Sequence, residues 1–218
     1  MIVVEDVHKR YTTRRGVGDW VLRGVNMVIP TGRSVGLIGS NGAGKSTLLR
    51  IIGGADYATR GRVERRCRVS WPMGNGGLEG TLTGRQNAKF VCRIHGFQHE
   101  LAERIERIEA FAELGKAFDD PIQTYSSGMR SRLQFALSLA FDFDVYISDE
   151  VTAAGDAAFR KKTEEAFKQL ANRASIIMVA HNDGVLKAFC ESGVLLSSGK
   201  ATWFDKLDDA LHAYKESI

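Results

Sequence analysis

The residues best suited to chemistry are the glycines, lysine and serine of segment 39–47, which reads GSNGAGKST. Gly39, Gly44, Lys45 and Ser46 occupy the fixed positions of the phosphate-binding pattern G-x-x-x-x-G-K-[ST]. Glycines let consecutive backbone N–H groups turn towards phosphate oxygens, Lys45 reaches the terminal phosphates, and Ser46 can offer its hydroxyl to Mg²⁺. The pattern predicts binding of a nucleoside triphosphate. The expected contact residues are Gly39, Ser40, Asn41, Gly42, Ala43, Gly44, Lys45, Ser46 and Thr47.

A pair of carboxylates, Asp149 and Glu150, follows the apolar run 145–148. Such a run is typical of a buried strand, and open α/β sheets bind their ligands at the carboxyl ends of strands. Asp149 is expected to hold Mg²⁺, directly or through a water molecule, opposite Ser46. Glu150 is expected to accept a proton from the water that attacks the terminal phosphate, a role that contributes about 10²–10⁴-fold to the rate. Loss of Glu150 should therefore leave binding but little turnover.

The elements that must position these residues can be read from the hydrophobic pattern. Apolar segment 34–38 predicts a buried strand before the phosphate-binding loop, and segment 46–52 predicts a helix after it. Segments 2–4 and 21–29 predict antiparallel strands, and segments 145–148 and 175–179 predict buried parallel strands. Between them, residues 85–141 form a helical lobe, with an apolar stripe interpreted as core packing. That stripe consists of Leu101, Ile105, Ile108, Phe111 and Leu114.

Composition excludes several classes of protein. The chain has 218 residues, 44% of them hydrophobic and 26% charged, which is an ordinary globular balance. No apolar run is long enough to span a bilayer, and the N-terminus lacks the apolar stretch of a signal peptide, so we expect a cytoplasmic protein. The net charge of +4 is small and scattered, so nucleic-acid binding is not expected. The three cysteines are widely spaced and predict neither disulfides nor a zinc site.

The segment 125–129, reading YSSGM, resembles the signature sequence of ABC-type ATPases. Ser126 or Ser127 is placed as the N-cap of the helix that follows. As in that family, the segment opens a helix and precedes the strand that ends in Asp149 and Glu150. The resemblance implies an α/β fold of the P-loop NTPase type, a single domain over residues 1–218. This domain has a RecA-like core, an antiparallel β subdomain and a helical subdomain inserted at about residues 82–142. It also implies a homodimer in which ATP lies between the phosphate-binding loop of one subunit and Ser126, Ser127 and Gly128 of the other.

Three further residues match positions that the ABC family uses. His181 follows the strand-like segment 175–180, where the family carries a histidine that contacts the terminal phosphate. Asp156 corresponds to the loop that crosses the dimer interface. Tyr11 matches the aromatic residue that stacks on adenine, although a packed surface tyrosine is the alternative. Trp20 is a rival for the stacking role.

The whole chain is similar to the ATP-binding subunits of capsular polysaccharide exporters. The residues that carry this likeness are the segments 70–73, 82–87, 125–129, 149–153 and 155–160. The likeness implies ATP hydrolysis coupled to export of a lipid-linked polysaccharide. It also implies two membrane-embedded permease subunits, a periplasm-facing export partner, and a location at the cytoplasmic face of the inner membrane. A regulatory ABC-type switch that does not transport is the alternative function.

One departure from the ABC pattern concerns the glutamine that usually contacts Mg²⁺ and water after the strand near Val69. Segment 71–73, ending in Met73, fills this region, and Glu79 is the nearest downstream candidate for the missing role. Five glycines are expected to give the same segment backbone freedom. In the family this segment receives a cytoplasmic helix of the membrane subunit, so we expect the coupling surface there. The glycines are Gly74, Gly76, Gly77, Gly80 and Gly84.

Overall fold

The computed structural model describes residues 1–13, 16–73, 77–149, 157–180 and 182–217. The chain forms two compact units. The first, here called the sheet unit, comprises Met1–Pro72, Phe143–Val151 and Leu170–Ile218. The second, here called the helical unit, comprises Met73–Asp142 and Thr152–Gln169.

The described chain begins with three strands, and helices and further strands follow them in mixed order. The strands are β1 (Ile2–Thr13), β2 (Gly16–Ile29), β3 (Val35–Ile38), β4 (Arg60–Arg65), β5 (Val69–Met73), β6 (Val145–Asp149), β7 (Ser175–Val179), β8 (Ser192–Ser197) and β9 (Lys200–Phe204). The α-helices are α1 (Lys45–Ile52), α2 (Gly84–Ile94), α3 (Leu101–Ala112), α4 (Ser127–Leu139), α5 (Ala157–Ala171), α6 (Asp183–Phe189) and α7 (Leu207–Glu216). Two short 3₁₀ helices span Gly115–Asp119 and Ile122–Thr124.

Two sheets build the sheet unit. The smaller has three antiparallel strands in the order β2-β1-β4, and the larger has six in the order β5-β6-β7-β3-β8-β9. In the larger sheet β6, β7, β3 and β8 are parallel, whereas β9 pairs antiparallel with β8. All four residues of β3 are buried, as expected for a parallel strand covered on both faces. The structure confirms the predicted antiparallel start and the two predicted buried parallel strands.

The helical unit contains α2, α3, α4 and most of α5. Ile105 and Ile108 of α3 are buried, which confirms the core packing expected for the stripe on this helix. The prediction was wrong at the end of the stripe, because α3 ends at Ala112 and Leu114 lies outside the helix. Glu113 terminates the helix with a left-handed backbone at φ 51°, a conformation that a continuing α-helix does not adopt.

Helix α3 also buries a charged residue, Arg104, which lies on the same helical face as the apolar stripe. The side chain of Arg104 is only 5% exposed and pairs with Glu100 at 2.6 Å. Its guanidinium lies 3.8 Å from the centre of the Phe97 ring and donates to the carbonyl oxygen of Ala140, at the end of α4. Burial of this charge is tolerated because its donors are satisfied, so Arg104 ties α3 to the end of α4.

Among the helices of the described ranges, none combines the length and apolar character that crossing a membrane requires.

Candidate nucleotide-binding site

The phosphate-binding loop, residues 39–44, connects β3 to α1 as the sequence predicts. Gly39 and Gly44 have positive φ values of 154° and 100°. A Cβ atom on Gly39 would lie 2.3 Å from the carbonyl oxygen of Leu196, and one on Gly44 would lie 3.0 Å from Val21 and 3.1 Å from Leu22. Glycine is therefore required at both positions by close packing as well as by backbone conformation.

Helix α1 presents its N-terminus at this loop. Its N-cap is Gly44, and no side chain among the described residues caps the helix there. The first N–H groups of a helix lack partners within the helix, and the helix dipole places partial positive charge at the same end. The α1 terminus can therefore bind an anion through backbone N–H groups.

The Lys45 side chain lies across the loop. Its Nζ atom donates hydrogen bonds to the carbonyl oxygens of Gly39 at 2.7 Å and Ser40 at 2.9 Å. These contacts hold the ammonium group at the start of α1, where the positive end of the helix dipole also lies. The arrangement concentrates positive charge on one side of the loop, as a polyphosphate ligand requires.

A cavity of about 260 Å³ brings the phosphate-binding loop and the β6 carboxylate together. Asp149 is the last residue of β6 and is partly buried. Because β6 neighbours β7, which neighbours β3, its carboxyl end meets the loop at the same edge of the sheet. Ser46 and Asp149, predicted from separate parts of the sequence, both line this cavity. Its full lining is Val21, Asn41, Gly42, Gly44, Lys45, Ser46, Thr47, Asp149 and Val179.

The two aromatic candidates for base stacking lie in different surroundings. The Tyr11 hydroxyl is 3.3 Å from Thr47 Oγ1 of α1, and the residue is 37% exposed. Trp20 pairs with Arg10 across β1 and β2, and the guanidinium groups of Arg10 and Arg60 lie 4.5 and 5.6 Å from its ring centre. Paired residues share a face of a sheet, and successive residues of a strand alternate between faces. Tyr11 therefore faces α1 and Trp20 faces away, which favours Tyr11.

The signature residues lie at the start of α4 in the helical unit. The Ser126 side chain is the N-cap and accepts a hydrogen bond from the Met129 N–H at 3.2 Å, so the structure confirms the predicted cap. Ser126 and Ser127 are exposed and Gly128 is partly exposed. Tyr125 before them is buried, and its hydroxyl donates to the Ala117 carbonyl oxygen at 2.5 Å. The cap residues are thus held by a buried tyrosine while remaining accessible.

The Glu79 carboxylate already has local partners. It accepts hydrogen bonds from the N–H and hydroxyl of Thr81 at 3.2 and 2.9 Å, and these bonds hold the pKa of Glu79 below its usual value. The Glu79 N–H donates to Asn87 at 2.8 Å. These contacts fix the turn before α2. These contacts explain the presence of Glu79 without a water-sensing role. That role stays a prediction.

Gly84 does not provide the backbone freedom expected of it. It is the buried first residue of α2, and a Cβ atom there would lie 2.4 Å from the Tyr125 hydroxyl and 3.0 Å from Phe118. Glycine is needed at this position for close packing, so the expectation was wrong for Gly84. Gly77 and Gly80 lie in the described part of the same segment, whereas Gly74 and Gly76 lie outside it.

Three predicted functional residues, Glu150, Asp156 and His181, lie outside the described residues. Their expected roles stay predictions. The described residues immediately before two of them are Asp149, the last residue of β6, and Ala180, which follows β7. Ala180 lines a second cavity of about 260 Å³ that shares Asn41, Lys45 and Val179 with the first.

Sequence reasoning missed Lys9 and Asp56, which surround Tyr11. Lys9 Nζ lies 4.7 Å from the centre of the Tyr11 ring and donates to Asp56 at 2.6 Å. Strand alternation from Ile2 and Val4 gave no signal for Lys9, because a register irregularity between Val4 and Val7 moves the buried face of β1 to Val7 and Lys9. A lysine on a buried face usually has a charged partner, and Asp56 is that partner.

Comparison with known proteins places the chain among transport ATPases. Residues 22–153 match the ABC transporter family. The polysialic acid transport ATP-binding protein KpsT of Escherichia coli is 46% identical over 220 residues, with 100% of each chain covered. The capsule polysaccharide export ATP-binding protein CtrD of Neisseria meningitidis serogroup B is 41% identical over 218 residues, with 98% of each chain covered.

A solved structure with a similar fold is the ATP-binding cassette MJ0796, described as the dimeric structure of a post-hydrolysis state bound to ADP and Pi. Its TM-score to this chain is 0.74 at 25% sequence identity, and the match covers 95% of this chain and 99% of that one. The similarity confirms the predicted α/β fold of the P-loop ABC ATPase type.

Proposed function

This chain belongs to the ABC transporter family, and we propose that it is the ATP-hydrolysing subunit of an exporter that moves lipid-linked capsular polysaccharide across the inner membrane. The observation that carries the proposal is that full-length relatives are named for polysialic acid transport and capsule polysaccharide export. These names favour the exporter over a regulatory switch that does not transport.

ATP binding rests on the shape and charge of the loop. The triphosphate would lie against the uncapped N-terminus of α1, with the Lys45 ammonium beside its terminal phosphates. The Tyr11 ring would stack on adenine. Each group matches one part of the nucleotide, so binding is expected to use both ends of the ligand.

Mg²⁺ fits the same cavity because the Ser46 hydroxyl and the Asp149 carboxylate are hard oxygen donors that line it together. The ion, when bound, would neutralise charge on the phosphate oxygens. Ser46 and Asp149 would hold it there, directly or through water.

Hydrolysis requires a proton acceptor for the attacking water, and we assign that role to Glu150. In the sequence it directly follows Asp149, which is the last residue of the strand that reaches the cavity. Such a base contributes about 10²–10⁴-fold, or roughly 3–5 kcal/mol of the barrier. His181 would contact the terminal phosphate from the end of β7.

We infer that two copies of the chain enclose two ATP molecules. The exposed N-terminus of α4, with Ser126, Ser127 and Gly128, would approach the phosphates bound by the partner's loop. Asp156 would lie in the loop that crosses this interface. The arrangement is self-complementary under two-fold symmetry. A dimeric structural neighbour with a similar fold supports it, and dimerisation would depend on ATP.

The chain would act at the cytoplasmic face of the inner membrane. The sugar pathway would be formed by two permease subunits, to which the segment from Met73 to Gly84 would couple. A periplasm-facing partner would continue export. The relatives are named for transport and export, which supports a membrane location.

The test is the location of polysaccharide in cells that carry Glu150→Gln. This substitution keeps the size of the side chain and removes the base, so ATP should bind while hydrolysis falls about 10²–10⁴-fold. Polymer is expected to accumulate inside the cell and to be missing from the surface. Normal surface polymer in cells that express a stable Glu150→Gln protein would contradict the proposed function.

A further inference from the structure

Asp56 lies after α1, where its carboxylate joins three donors from two parts of the sheet unit. Oδ1 accepts hydrogen bonds from Lys9 Nζ at 2.6 Å and from the Tyr57 N–H at 2.7 Å, while Oδ2 accepts from the Tyr11 hydroxyl at 3.1 Å. The side chains of Lys9 and Asp56 are only 11% and 23% exposed. Burial raises the pKa of Asp56, but the bonds from Lys9, Tyr57 and Tyr11 outweigh it and lower the pKa below its usual value. The carboxylate is therefore charged at neutral pH.

The Tyr11 hydroxyl is the centre of this network. It donates to Asp56, accepts from Arg50 Nη2 at 3.2 Å and lies 3.3 Å from Thr47 Oγ1. Thr47 and Arg50 belong to α1, the helix that begins at the phosphate-binding loop. The Lys9 ammonium lies 4.7 Å from the centre of the Tyr11 ring. The ring is thus held by its hydroxyl and by one cation, while part of it stays exposed.

We infer that Asp56 is a positioning residue for ATP binding. It fixes Tyr11 relative to α1, so that the adenine of ATP can stack on the ring while its phosphates lie in the loop. The inference rests on the proposed function, because it requires that ATP binds here. Without Asp56, Tyr11 loses an acceptor and Lys9 loses its counter-ion. The ring then samples several orientations, and stacking has to restore one of them at an entropic cost.

This role predicts a difference between two ligands. ATP uses both the ring and the loop, whereas inorganic tripolyphosphate uses the loop alone. Asp56→Ala should weaken ATP binding roughly five- to tenfold, the effect of losing about one ordinary hydrogen bond, because Asp56 acts on the ligand only through Tyr11. Binding of tripolyphosphate should change less than about twofold, since α1 and the loop are untouched.

The experiment is calorimetric titration of the purified chain with each ligand in the presence of Mg²⁺. The variants are Asp56→Ala, Tyr11→Phe and the double substitution. Tyr11→Phe keeps the ring and removes the hydroxyl that reaches Asp56, so it should also weaken ATP selectively. If Asp56 acts through that hydroxyl, adding Asp56→Ala to Tyr11→Phe should cost less than about twofold more.

The matched control is Asp205→Ala. Like Asp56, Asp205 accepts hydrogen bonds from a cation and from an aromatic residue. The donors are Arg33 at 3.1 Å and the Trp203 ring nitrogen at 3.1 Å. Its removal should leave the binding of both ligands unchanged. In steady-state assays, Asp56→Ala should raise KM for ATP and leave kcat within about twofold, because the hydrolytic residues are intact.

The outcomes separate the two hypotheses. If the natural chain binds tripolyphosphate but not ATP, or binds neither, the proposed function fails. If ATP binds and Asp56→Ala weakens both ligands equally or neither, the positioning role is overturned. Should Asp56→Ala fail to fold, Tyr11→Phe decides: selective loss of ATP affinity supports the inference, and unchanged affinity overturns it.

Discussion

The N-termini of α1 and α4 are both expected to bind phosphate, yet they are built differently. At α1 the cap position is Gly44, and no described side chain caps the helix. At α4 the Ser126 side chain accepts from the Met129 N–H. The first terminus leaves its N–H groups for a ligand, whereas the second satisfies one with its own serine. We infer that α1 binds the phosphates within one chain and that α4 contributes only when a second chain supplies ATP.

The N-termini of α1 and α4 also differ in how closely their glycines are packed. A Cβ atom on Gly39, in the loop before α1, would lie 2.3 Å from a backbone oxygen. A Cβ atom on Gly128, in α4, would lie 3.8 Å from the Ser126 side chain, which is an ordinary contact. The loop before α1 is therefore sensitive to any added atom, and the start of α4 tolerates one.

The largest effect should come from Gly39→Ala. The new methyl group cannot fit against the Leu196 carbonyl, so the loop must move. We expect ATP affinity to fall more than about 100-fold, which corresponds to roughly 3 kcal/mol. Filter binding with labelled ATP would measure this, with circular dichroism to verify that the strands and helices persist. Affinity within about threefold of the natural chain would show that the loop is not held by this contact.

Lys45→Ala should have the next largest effect. The substitution removes a charged donor from the terminal phosphates but leaves the α1 backbone in place. The binding free energy of ATP should therefore weaken by about 2 kcal/mol, or roughly 30-fold in affinity. Titration with ATP and with AMP would localise the loss. The AMP affinity should change little, and an equal loss for both ligands would argue against a role at the terminal phosphates.

Ser126→Ala should have the smallest effect on the single chain. Loss of the cap destabilises α4 by about 1 kcal/mol, measurable by urea denaturation. Affinity for ATP in a dilute, monomeric sample should be unchanged, because α1 makes those contacts. The ATP-dependent dimer, followed by sedimentation velocity, should weaken. Weakened ATP binding by monomeric Ser126→Ala would contradict the division of roles.

Much of the fold could be predicted because the relevant signals are local. The strand before the loop, the helix after it and the Ser126 cap all follow from contiguous residues whose hydrophobic period and hydrogen-bonding chemistry are short-range. The ends of elements were less certain. Glu113 stops α3 through its own backbone conformation, which hydrophobic periodicity does not encode.

The residues that were missed or misread depend on distant partners. Arg104 lies on the apolar face of α3, yet its residue type indicates exposure until the Ala140 carbonyl and the Phe97 ring are placed beside it. Gly84 reads as a flexible position until the Tyr125 hydroxyl is seen to occupy the space of its Cβ atom. In both cases the decisive neighbour is far away in sequence, so pattern alone gives the wrong environment.

By itself the sequence determined the phosphate-binding chemistry, because residues 39–47 contain their glycines, lysine and serine in one contiguous segment. Only the tertiary structure decided which aromatic residue faces that segment. Tyr11 and Trp20 are equivalent as stacking residues, and the register of β1 with β2 places one towards α1 and the other away from it. The tertiary structure alone also brought Asp56 to Tyr11, 45 residues earlier in the chain. Strand register and loop closure arise from long-range packing, which local spacing does not specify.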